Sequence, residues 1–252
     1  MTEDWQIKNN LFTAAQIVGD GVHIVPKLTH IHGEIMIGKD VELIEYSEKV
    51  DLANCLTHAL GAVLSAVGLV MLLFKAQGAR ETVSAVIYGL SLIAVYTVSA
   101  VYHGLPRGEA KRRARLADHS TIPTLIAGTA TPCALLTLYQ ISVPLGLLVL
   151  ILAWFCAVFG FISKMFFFER LKAVTMAIYI ISCAVMLLSA VPVLGSIDKT
   201  AFAGLVLGCV LYLIGAILCG LGKKRPRLHV VFHIFVLLGS IAHFAVIYKF
   251  VL

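Results

Sequence analysis

The sequence predicts an all-α fold: a polytopic membrane protein built as a bundle of seven transmembrane helices. Hydrophobic residues make up 60% of the 252 residues, and charged residues only 13%, against roughly 25% in an average soluble domain. Seven apolar runs, each close to the ~20 residues that cross a bilayer core, divide residues 47–252. This part of the chain is therefore predicted to be the transmembrane domain.

Residues 1–46 are predicted to form a separate, water-exposed N-terminal segment on the cytoplasmic side. Many of the acidic residues of the chain lie here, and the start lacks the basic-then-apolar order of a cleavable signal peptide. The stretches 22–25 and 34–37 are candidates for short strands, because Gly and Pro punctuate them as turns. His30 and His32 form a conceivable metal pair, but a solvated loop is the preferred interpretation.

The apolar runs are joined by short loops, and the basic residues of those loops predict an orientation. We place the runs at 52–74, 83–103, 120–138, 143–164, 173–193, 202–221 and 228–251. The even loops hold Arg107, Lys111, Arg112, Arg113, Arg115, Lys164, Arg170, Lys172, Lys223, Lys224, Arg225 and Arg227, whereas the odd loops hold only Lys75, Arg80 and Lys199. The positive-inside bias places the even loops and the N-terminus in the cytoplasm and the C-terminus outside. The net charge of +6 is explained in this way, and it does not indicate nucleic-acid binding.

Two histidines four residues apart, His229 and His233, open the seventh run. Residues at this spacing lie on one face of a helix, and ionisable side chains inside a membrane segment usually mark a functional site. In the predicted orientation both lie near the cytoplasmic face. His103, at the end of the second run, and Asp118, just before the third, fall at the same depth.

Three imidazoles and one carboxylate at a common depth predict a metal site. Catalytic Zn²⁺ takes three protein ligands and keeps one position for water, and zinc is the expected metal for a site rich in imidazole. Asp118 is interpreted either as a fourth ligand or as the acceptor that holds the water on the metal. Ser99 lies one turn before His103, where it could orient that water or stabilise an oxyanion. The alternative is that each histidine only caps carbonyl groups or extends toward the interface.

A second polar cluster is predicted from Glu48, Asn54 and His58 near the start of the first run, together with His243 on the seventh. Interhelical hydrogen bonding is the favoured interpretation, and a direct part in the chemistry is the alternative. In the third run, Pro132 predicts a kink whose freed carbonyl is satisfied by Thr129 and Thr131. The six cysteines lie inside apolar runs and are interpreted as small buried hydrophobic residues.

Several of these motifs, taken in order, resemble the hemolysin III family, which belongs with the progestin and adipoQ receptor (PAQR) superfamily. The resemblance covers residues 46–252. It is carried by Glu48, Asn54, Thr57-His58, Ser99-x-x-x-His103, Asp118-His119, Ala127-Gly128-Thr129-x-Thr131-Pro132, His229-x-x-x-His233 and Gly239-Ser240-x-x-His243-Phe244.

The resemblance implies a seven-helix bundle with an intramembrane zinc site near the cytoplasmic face, in a bacterial inner membrane. By correspondence with the adiponectin-receptor relatives, the zinc ligands are His103, His229 and His233, and Asp118 contacts the water on the metal. Ser99 belongs to a pattern shared with the alkaline ceramidases, which hydrolyse lipid amides. The chain departs from the family at 130–133, where Ala-Thr-Pro-Cys replaces a frequent Tyr-Thr-Pro-Phe, so the identity of the substrate does not transfer.

The sequence and the resemblance are compatible with three functions. The leading one is a zinc-dependent hydrolase that acts on a membrane lipid amide or ester. The second is a receptor-like or membrane-homeostasis protein with structural zinc. The third is a pore-forming cytolysin, which ranks last because the polar residues are expected to gather at one end of the bundle. A membrane lipid is the expected partner, and no feature of the sequence specifies an oligomer.

Overall fold

The computed structural model describes residues 13–18, 21–26, 41, 43–167, 171–189, 195 and 198–252. The chain divides into two compact units, Met1–Met36 and Ile37–Leu252. In the first unit, β1 (Thr13–Val18) and β2 (Gly21–Pro26) pair antiparallel, with Thr13 opposite Pro26. The predicted strand at 22–25 thus lies in β2. The candidate strand at 34–37 and the pair His30 and His32 lie outside the described residues, and the domain boundary at 46/47 stays a prediction.

Seven helices make up most of the described part of the second unit, and they coincide with the apolar runs. They are α1 (Glu48–Lys75), α2 (Ala79–Gly104), α3 (Glu109–Pro132), α4 (Val143–Phe167), α5 (Lys172–Ser189), α6 (Lys199–Gly222) and α7 (Pro226–Val246). A π-helical stretch, Cys133–Leu138, and a single turn, Tyr139–Ile141, extend α3, and a second π-helical stretch, Ile247–Val251, extends α7.

Six of the described helices are long and apolar enough to cross a membrane, counting the extensions of α3 and α7. α5 contains a shorter apolar helix, 173–184. The protein is therefore a membrane protein with six to seven long apolar helices. The seven-span count and the orientation of the two termini stay predictions.

The first helix shows how this unit separates its lipid-facing and interior surfaces. Large apolar side chains such as Leu56, Val63 and Val70 are exposed on α1, as expected for a surface that contacts lipid. The buried positions recur every three or four residues and form one narrow seam. They are Asn54, His58, Gly61, Ser65, Gly68 and Leu72. The interior face of α1 is thus more polar than its outer face.

Small residues on α6 allow α7 to pack closely against it, so that two histidines of α7 contact α6. The buried residues of α6 recur every seventh position, at Ala201, Gly208, Gly215 and Gly222. A Cβ on Gly222 would lie 3.1 Å from the Cβ of His229, and one on Gly208 would lie 2.2 Å from Nε2 of His243. Small residues that allow close backbone approach are a common device for packing helices in membranes. The approach of α7 to α6 therefore depends on these glycines.

The predicted irregularity at Pro132 takes the form of a π-helical stretch that begins at Cys133. The hydroxyls of Thr129 and Thr131 donate hydrogen bonds to the carbonyls of Leu125 and Ala127, at 2.9 and 2.7 Å. Both threonines thus satisfy carbonyls of α3, as expected near a proline that lacks an N–H. All six cysteines are free thiols, with Cys133 buried and the others half-buried.

The expectation that polar side chains gather at one end of the bundle is wrong for α2. Its buried face carries polar groups from near one end of the helix to the other. The buried polar residues of this face are Ser84, Tyr88, Ser91, Tyr96, Ser99, Tyr102 and His103. Their spacing of mostly three or four residues is that of one helix face.

Candidate metal centre

The predicted metal ligands meet in the structure. His103 lies in the last turn of α2, and His229 and His233 lie in the first two turns of α7. All three are buried, and one ligand atom from each lies within 4.8 Å of the others. The ring centroid of His233 lies 4.9 Å from that of His103 and 4.8 Å from that of His229. This group could hold a metal ion, and within the described residues it is the one set of three or more such ligands.

The hydrogen bonding of these imidazoles fits metal ligation. Nε2 of His103 and Nδ1 of His233 are buried and have no hydrogen-bond partner among the described residues. Buried polar atoms normally have a partner, and a neutral imidazole nitrogen is a common ligand of zinc and other transition metals. A cation bound between the three rings would satisfy both nitrogens.

Asp51, which is not among the predicted site residues, orients His103 through its carboxylate. Nδ1 of His103 donates a hydrogen bond to Oδ1 of Asp51 at 2.9 Å. The other carboxylate oxygen accepts from the buried Lys111 ammonium at 2.7 Å, and Lys111 also donates to the Leu105 carbonyl at 3.1 Å. A carboxylate on the second nitrogen fixes the tautomer of a metal-binding histidine, and here it leaves Nε2 as the nitrogen of His103 that is available to a metal ion.

The residues of the predicted secondary polar cluster lie in three separate places in the structure. Asn54 and His58 reach the metal centre: the amide of Asn54 lies 3.4 Å from Nδ1 of His103, and the ring of His58 lies 3.7 Å from that of His233. His243 lies elsewhere on α7, where its Nε2 donates to the Leu205 carbonyl at 3.1 Å. Glu48 is exposed in the first turn of α1. Asn54 and His243 thus make interhelical contacts, as favoured from the sequence, although they do not pair with one another.

The predicted catalytic pair, Ser99 and Asp118, lies beside the three histidines. Ser99 is buried on α2, one turn before His103. Asp118, half-buried on α3, accepts a hydrogen bond from Ser99 and lies close enough to His103 to interact with it electrostatically. The group of potential ligands contains the three imidazoles and does not include Asp118. This arrangement favours Asp118 as an acceptor near the site over Asp118 as a fourth ligand.

Tyr46, which directly precedes the N-cap of α1, covers one side of the site. Its ring stacks on His229 with centroids 5.1 Å apart and lies 5.8 Å from the ring of His103. Burial raises the pKa of the Tyr46 phenol, and Tyr102 adds to this effect. The hydroxyl therefore stays protonated at neutral pH and is available as a hydrogen-bond donor. No motif or periodicity in the sequence marks this residue, which falls at the boundary between the two predicted domains.

The chain matches a family model described as "Haemolysin-III related" over residues 46–244. It is 34% identical to Hemolysin-3 of Bacillus cereus over 207 residues, and this alignment covers 81% of this chain and 93% of that protein. It is also 34% identical over 202 residues to a Hemolysin-3 homolog of Bacillus subtilis (strain 168), with coverages of 79% and 93%. The human monocyte to macrophage differentiation factor is 28% identical over 204 residues, with coverages of 79% and 83%.

The matched region includes every residue of the metal centre, from Tyr46 to His233. The similarity to the monocyte to macrophage differentiation factor further supports placement in the PAQR superfamily. The chain belongs to the hemolysin III family.

Proposed function

We propose that the protein binds Zn²⁺ through His103, His229 and His233 and is a zinc-dependent hydrolase of a membrane lipid amide or ester. One observation carries the proposal. Three buried imidazoles converge to within 4.8 Å, and the Ser99–Asp118 hydrogen bond lies directly beside them. A purely structural zinc site usually has four protein ligands, whereas a catalytic one keeps a position open. The three-histidine set fits the catalytic type.

Bound zinc would supply a Lewis acid and would lower the pKa of its water toward ~7. Asp118 would accept the proton of that water, because its carboxylate lies near His103, one of the metal ligands. Ser99 fixes the orientation of this carboxylate. Asp51 holds His103 by its other nitrogen, so that the ring does not turn away from the site.

The position of the site favours a lipid substrate. α1 contributes Asn54 and His58 to the surroundings of the site, while its opposite face carries exposed apolar side chains such as Leu52 and Leu56. One helix thus separates the metal centre from the surface that contacts lipid. The basic residues Arg107, Arg112 and Arg113 lie at the same end as His103, which supports a cytoplasmic location for the site. The bacterial relatives support placement in an inner membrane.

The metal site is tested by the zinc content of the purified protein. Wild-type protein is expected to retain about one zinc per chain, as a three-histidine site implies, and His103→Ala, His229→Ala and His233→Ala are each expected to lose most of it. His243→Gln is the matched control, since it changes a buried histidine of α7 outside the group. Unchanged zinc content in all three alanine variants would rule out the site.

Catalysis is tested by zinc-loaded protein acting on a fluorescent N-acyl sphingosine and a fluorescent glycerophospholipid. Asp118→Asn is expected to keep its zinc and to lower turnover by about a hundredfold or more, the typical size of a general-base contribution. Ser65→Ala is the control, because the Ser65 hydroxyl bonds only the Gly61 carbonyl of its own helix. Full turnover by Asp118→Asn would remove Asp118 from the mechanism. Zinc-loaded wild type that cleaves neither lipid would favour structural zinc in a receptor-like or membrane-homeostasis protein.

A cytolytic pore is the second candidate, because the Bacillus relatives carry the name Hemolysin-3. Release of carboxyfluorescein from liposomes that contain the protein tests it. Release above the rate of protein-free liposomes would support a pore, and retained dye would exclude one wide enough for this solute.

A further inference from the structure

The buried polar face of α2 extends over most of the thickness of a membrane. Ser84 and His103 are nineteen residues apart on this helix, which corresponds to about 28 Å at 1.5 Å per residue. The hydrocarbon core of a bilayer is ~30 Å thick. Single hydroxyl side chains are common in such helices, where many bond only their own backbone. A row of buried hydroxyls over this depth, however, is a set of groups that can each donate and accept a proton. The part of this face from Ser84 to Tyr96 plays no role in the proposed hydrolysis.

In the middle of the bundle, three hydroxyl groups from three helices form a continuous hydrogen-bonded chain. The single proton of the Tyr96 hydroxyl on α2 has two acceptors within reach on α7, the Ser240 hydroxyl at 2.6 Å and the Val236 carbonyl at 3.2 Å. The Ser240 hydroxyl lies 2.8 Å from the Tyr212 hydroxyl on α6. Each hydroxyl can both donate and accept, and its hydrogen can rotate between partners. The chain can therefore pass a proton and reset.

Toward the Ser84 end, further polar atoms continue from this chain. The Tyr88 hydroxyl and the Ser84 hydroxyl, one turn apart on α2, are buried and have no hydrogen-bond partner in the described part of the chain. Tyr88 lies within electrostatic range of both Tyr96 and Tyr212. Buried polar atoms of this kind are normally satisfied by internal water, and a bundle surrounded by lipid has no other source of partners. Ordered water molecules would join these hydroxyls into one path.

The packing along the same face is too close for a hydrated ion or a larger solute. A Cβ added to Gly61 would lie 2.6 Å from the Tyr96 ring, and one added to Gly128 would lie 2.1 Å from the Ser91 hydroxyl. Neighbouring helices thus meet the polar face at van der Waals distance. Such packing excludes a continuous aqueous pore, so a path along this face would run through the hydroxyl groups themselves and through single water molecules between them.

We propose that this face is a proton pathway, running from Ser84 through Tyr88 and the Tyr96–Ser240–Tyr212 chain toward the end of the bundle that holds the metal centre. A proton enters at one end, each hydroxyl or water passes on its own proton, and another proton leaves at the opposite end. No bond other than O–H is broken. The charge that crosses must be balanced by a second ion, so that net conduction requires a counter-ion route.

Proton flux into liposomes tests the pathway. Full-length protein is reconstituted into vesicles of phosphatidylcholine and phosphatidylglycerol that contain K⁺ and the pH dye pyranine, and valinomycin sets an inside-negative potential. The lumen is expected to acidify faster than in protein-free vesicles. Tyr96→Phe and Ser240→Ala are each expected to slow the flux by about tenfold, the effect of losing one hydrogen bond from the path, while zinc content stays unchanged.

Two variants serve as matched controls. Ser182→Ala on α5 and Ser65→Ala on α1 each remove a serine hydroxyl that bonds only a carbonyl of its own helix. Both should conduct as the wild type does. Wild-type flux equal to that of protein-free vesicles would overturn the proposal, as would wild-type flux through both Tyr96→Phe and Ser240→Ala. Equally fast release of carboxyfluorescein would also overturn it, because that result requires an open pore. The test does not depend on hydrolysis, so either proposal can fail alone.

Discussion

Asp51 and His103 form a hydrogen bond of 2.9 Å between the first turn of α1 and the last turn of α2. Lys111 of α3 binds the second carboxylate oxygen, so one carboxylate links three helices behind the metal centre. The imidazole is thereby fixed before any metal arrives. Preorganisation of this kind raises metal affinity, because no rotamer freedom is lost on binding.

Replacement of Asp51 by Asn is therefore expected to weaken zinc binding by about ten- to a hundredfold. The amide keeps the shape of the carboxylate but loses its charge and its ion pair with Lys111. Competition with a chromogenic chelator measures the affinity. The control is Glu45→Gln, which removes a carboxylate from an exposed ion pair with Arg107 and should leave zinc affinity within a factor of about five, as expected for surface pairs. Equal affinity of Asp51→Asn and wild type would show that the negative charge beside His103 has no role in zinc binding.

Tyr46 is expected to slow the exchange of metal, because its ring stacks on His229. Tyr46→Ala should release zinc to a chelator up to about tenfold faster, in line with the 0.5–1.5 kcal/mol of an aromatic pair. Tyr46→Phe keeps the stacked ring and should release zinc at the wild-type rate. Stopped-flow mixing with a fluorescent chelator gives both rates. If Tyr46→Phe behaves like Tyr46→Ala, the hydroxyl and not the ring is responsible.

Gly208 on α6 should tolerate no side chain. A Cβ there would meet Nε2 of His243 at 2.2 Å, so Gly208→Ala must displace either the imidazole or α7. Overpacking of this size typically costs about 1–3 kcal/mol, and the Tm in detergent should fall by several degrees. Gly220→Ala on the same helix has no atom within 4 Å of the added methyl and should leave Tm unchanged or raise it. Equal Tm values for the two variants would contradict the close approach of α6 and α7.

Asp198 caps α6 by accepting hydrogen bonds from the backbone N–H groups of Thr200 and Ala201, at 2.7 and 3.1 Å. These bonds, the one from Ala201 foremost, hold the pKa of the carboxyl below its usual value. A group with a lowered folded-state pKa stabilises the fold above its unfolded pKa, about 3.9 for Asp. That contribution is lost as the pH falls through the still lower folded value.

Hydrogen exchange of the Thr200 and Ala201 amides should reveal this pH dependence. Protection in the wild type should exceed that in Asp198→Ala at neutral pH, and the difference should shrink below about pH 3.9. Asp198→Asn provides the control, because an amide also caps helices but does not titrate. Its protection relative to Asp198→Ala should stay constant with pH. A difference between wild type and Asp198→Ala that persists in strong acid would show that the charge is irrelevant to the cap.

The convergence of His103, His229 and His233 could be predicted because it depends on two regular properties of membrane helices. Residues four apart share a face, and loop charges set the direction in which each helix runs. Together these place the end of the second run and the start of the seventh at one depth. The position of Ser99 beside the site is predicted by the same periodicity, since Ser99 lies one helical turn from His103.

Asp51 lies one residue before the predicted start of the first apolar run at Leu52, so the run does not include it. α1 begins at Glu48, and Asp51, Asn54 and His58 then lie three and four residues apart on one face. Hydropathy alone hides this, because a charged first turn lowers the average over any window that includes it. The position of Tyr46 could not be predicted, since a ring that precedes a helix is placed by tertiary packing and follows no periodicity.

The polar face of α2 was also visible in the sequence as Ser84, Tyr88, Ser91, Tyr96 and Ser99. It was overlooked because Ser and Tyr are common in apolar segments and carry no charge. A hydroxyl that faces lipid and bonds its own helix can be distinguished from one that faces a neighbouring helix only by its burial in the structure. The π-helical stretch after Pro132 was not predicted either, because a missing N–H specifies a disruption but not the form that the backbone then adopts.

The single seam of α1 has a consequence for how the sequence can change. Buried residues occupy only Asn54, His58, Gly61, Ser65, Gly68 and Leu72, while the rest of the span faces outward or lies at the edge of the seam. Any lipid-soluble side chain meets the demands of the outward positions, whereas each seam position has a fixed volume or a fixed polar partner. In a saturation scan, tolerance along α1 should therefore rise and fall with the period of a helix, with the six seam positions as its minima.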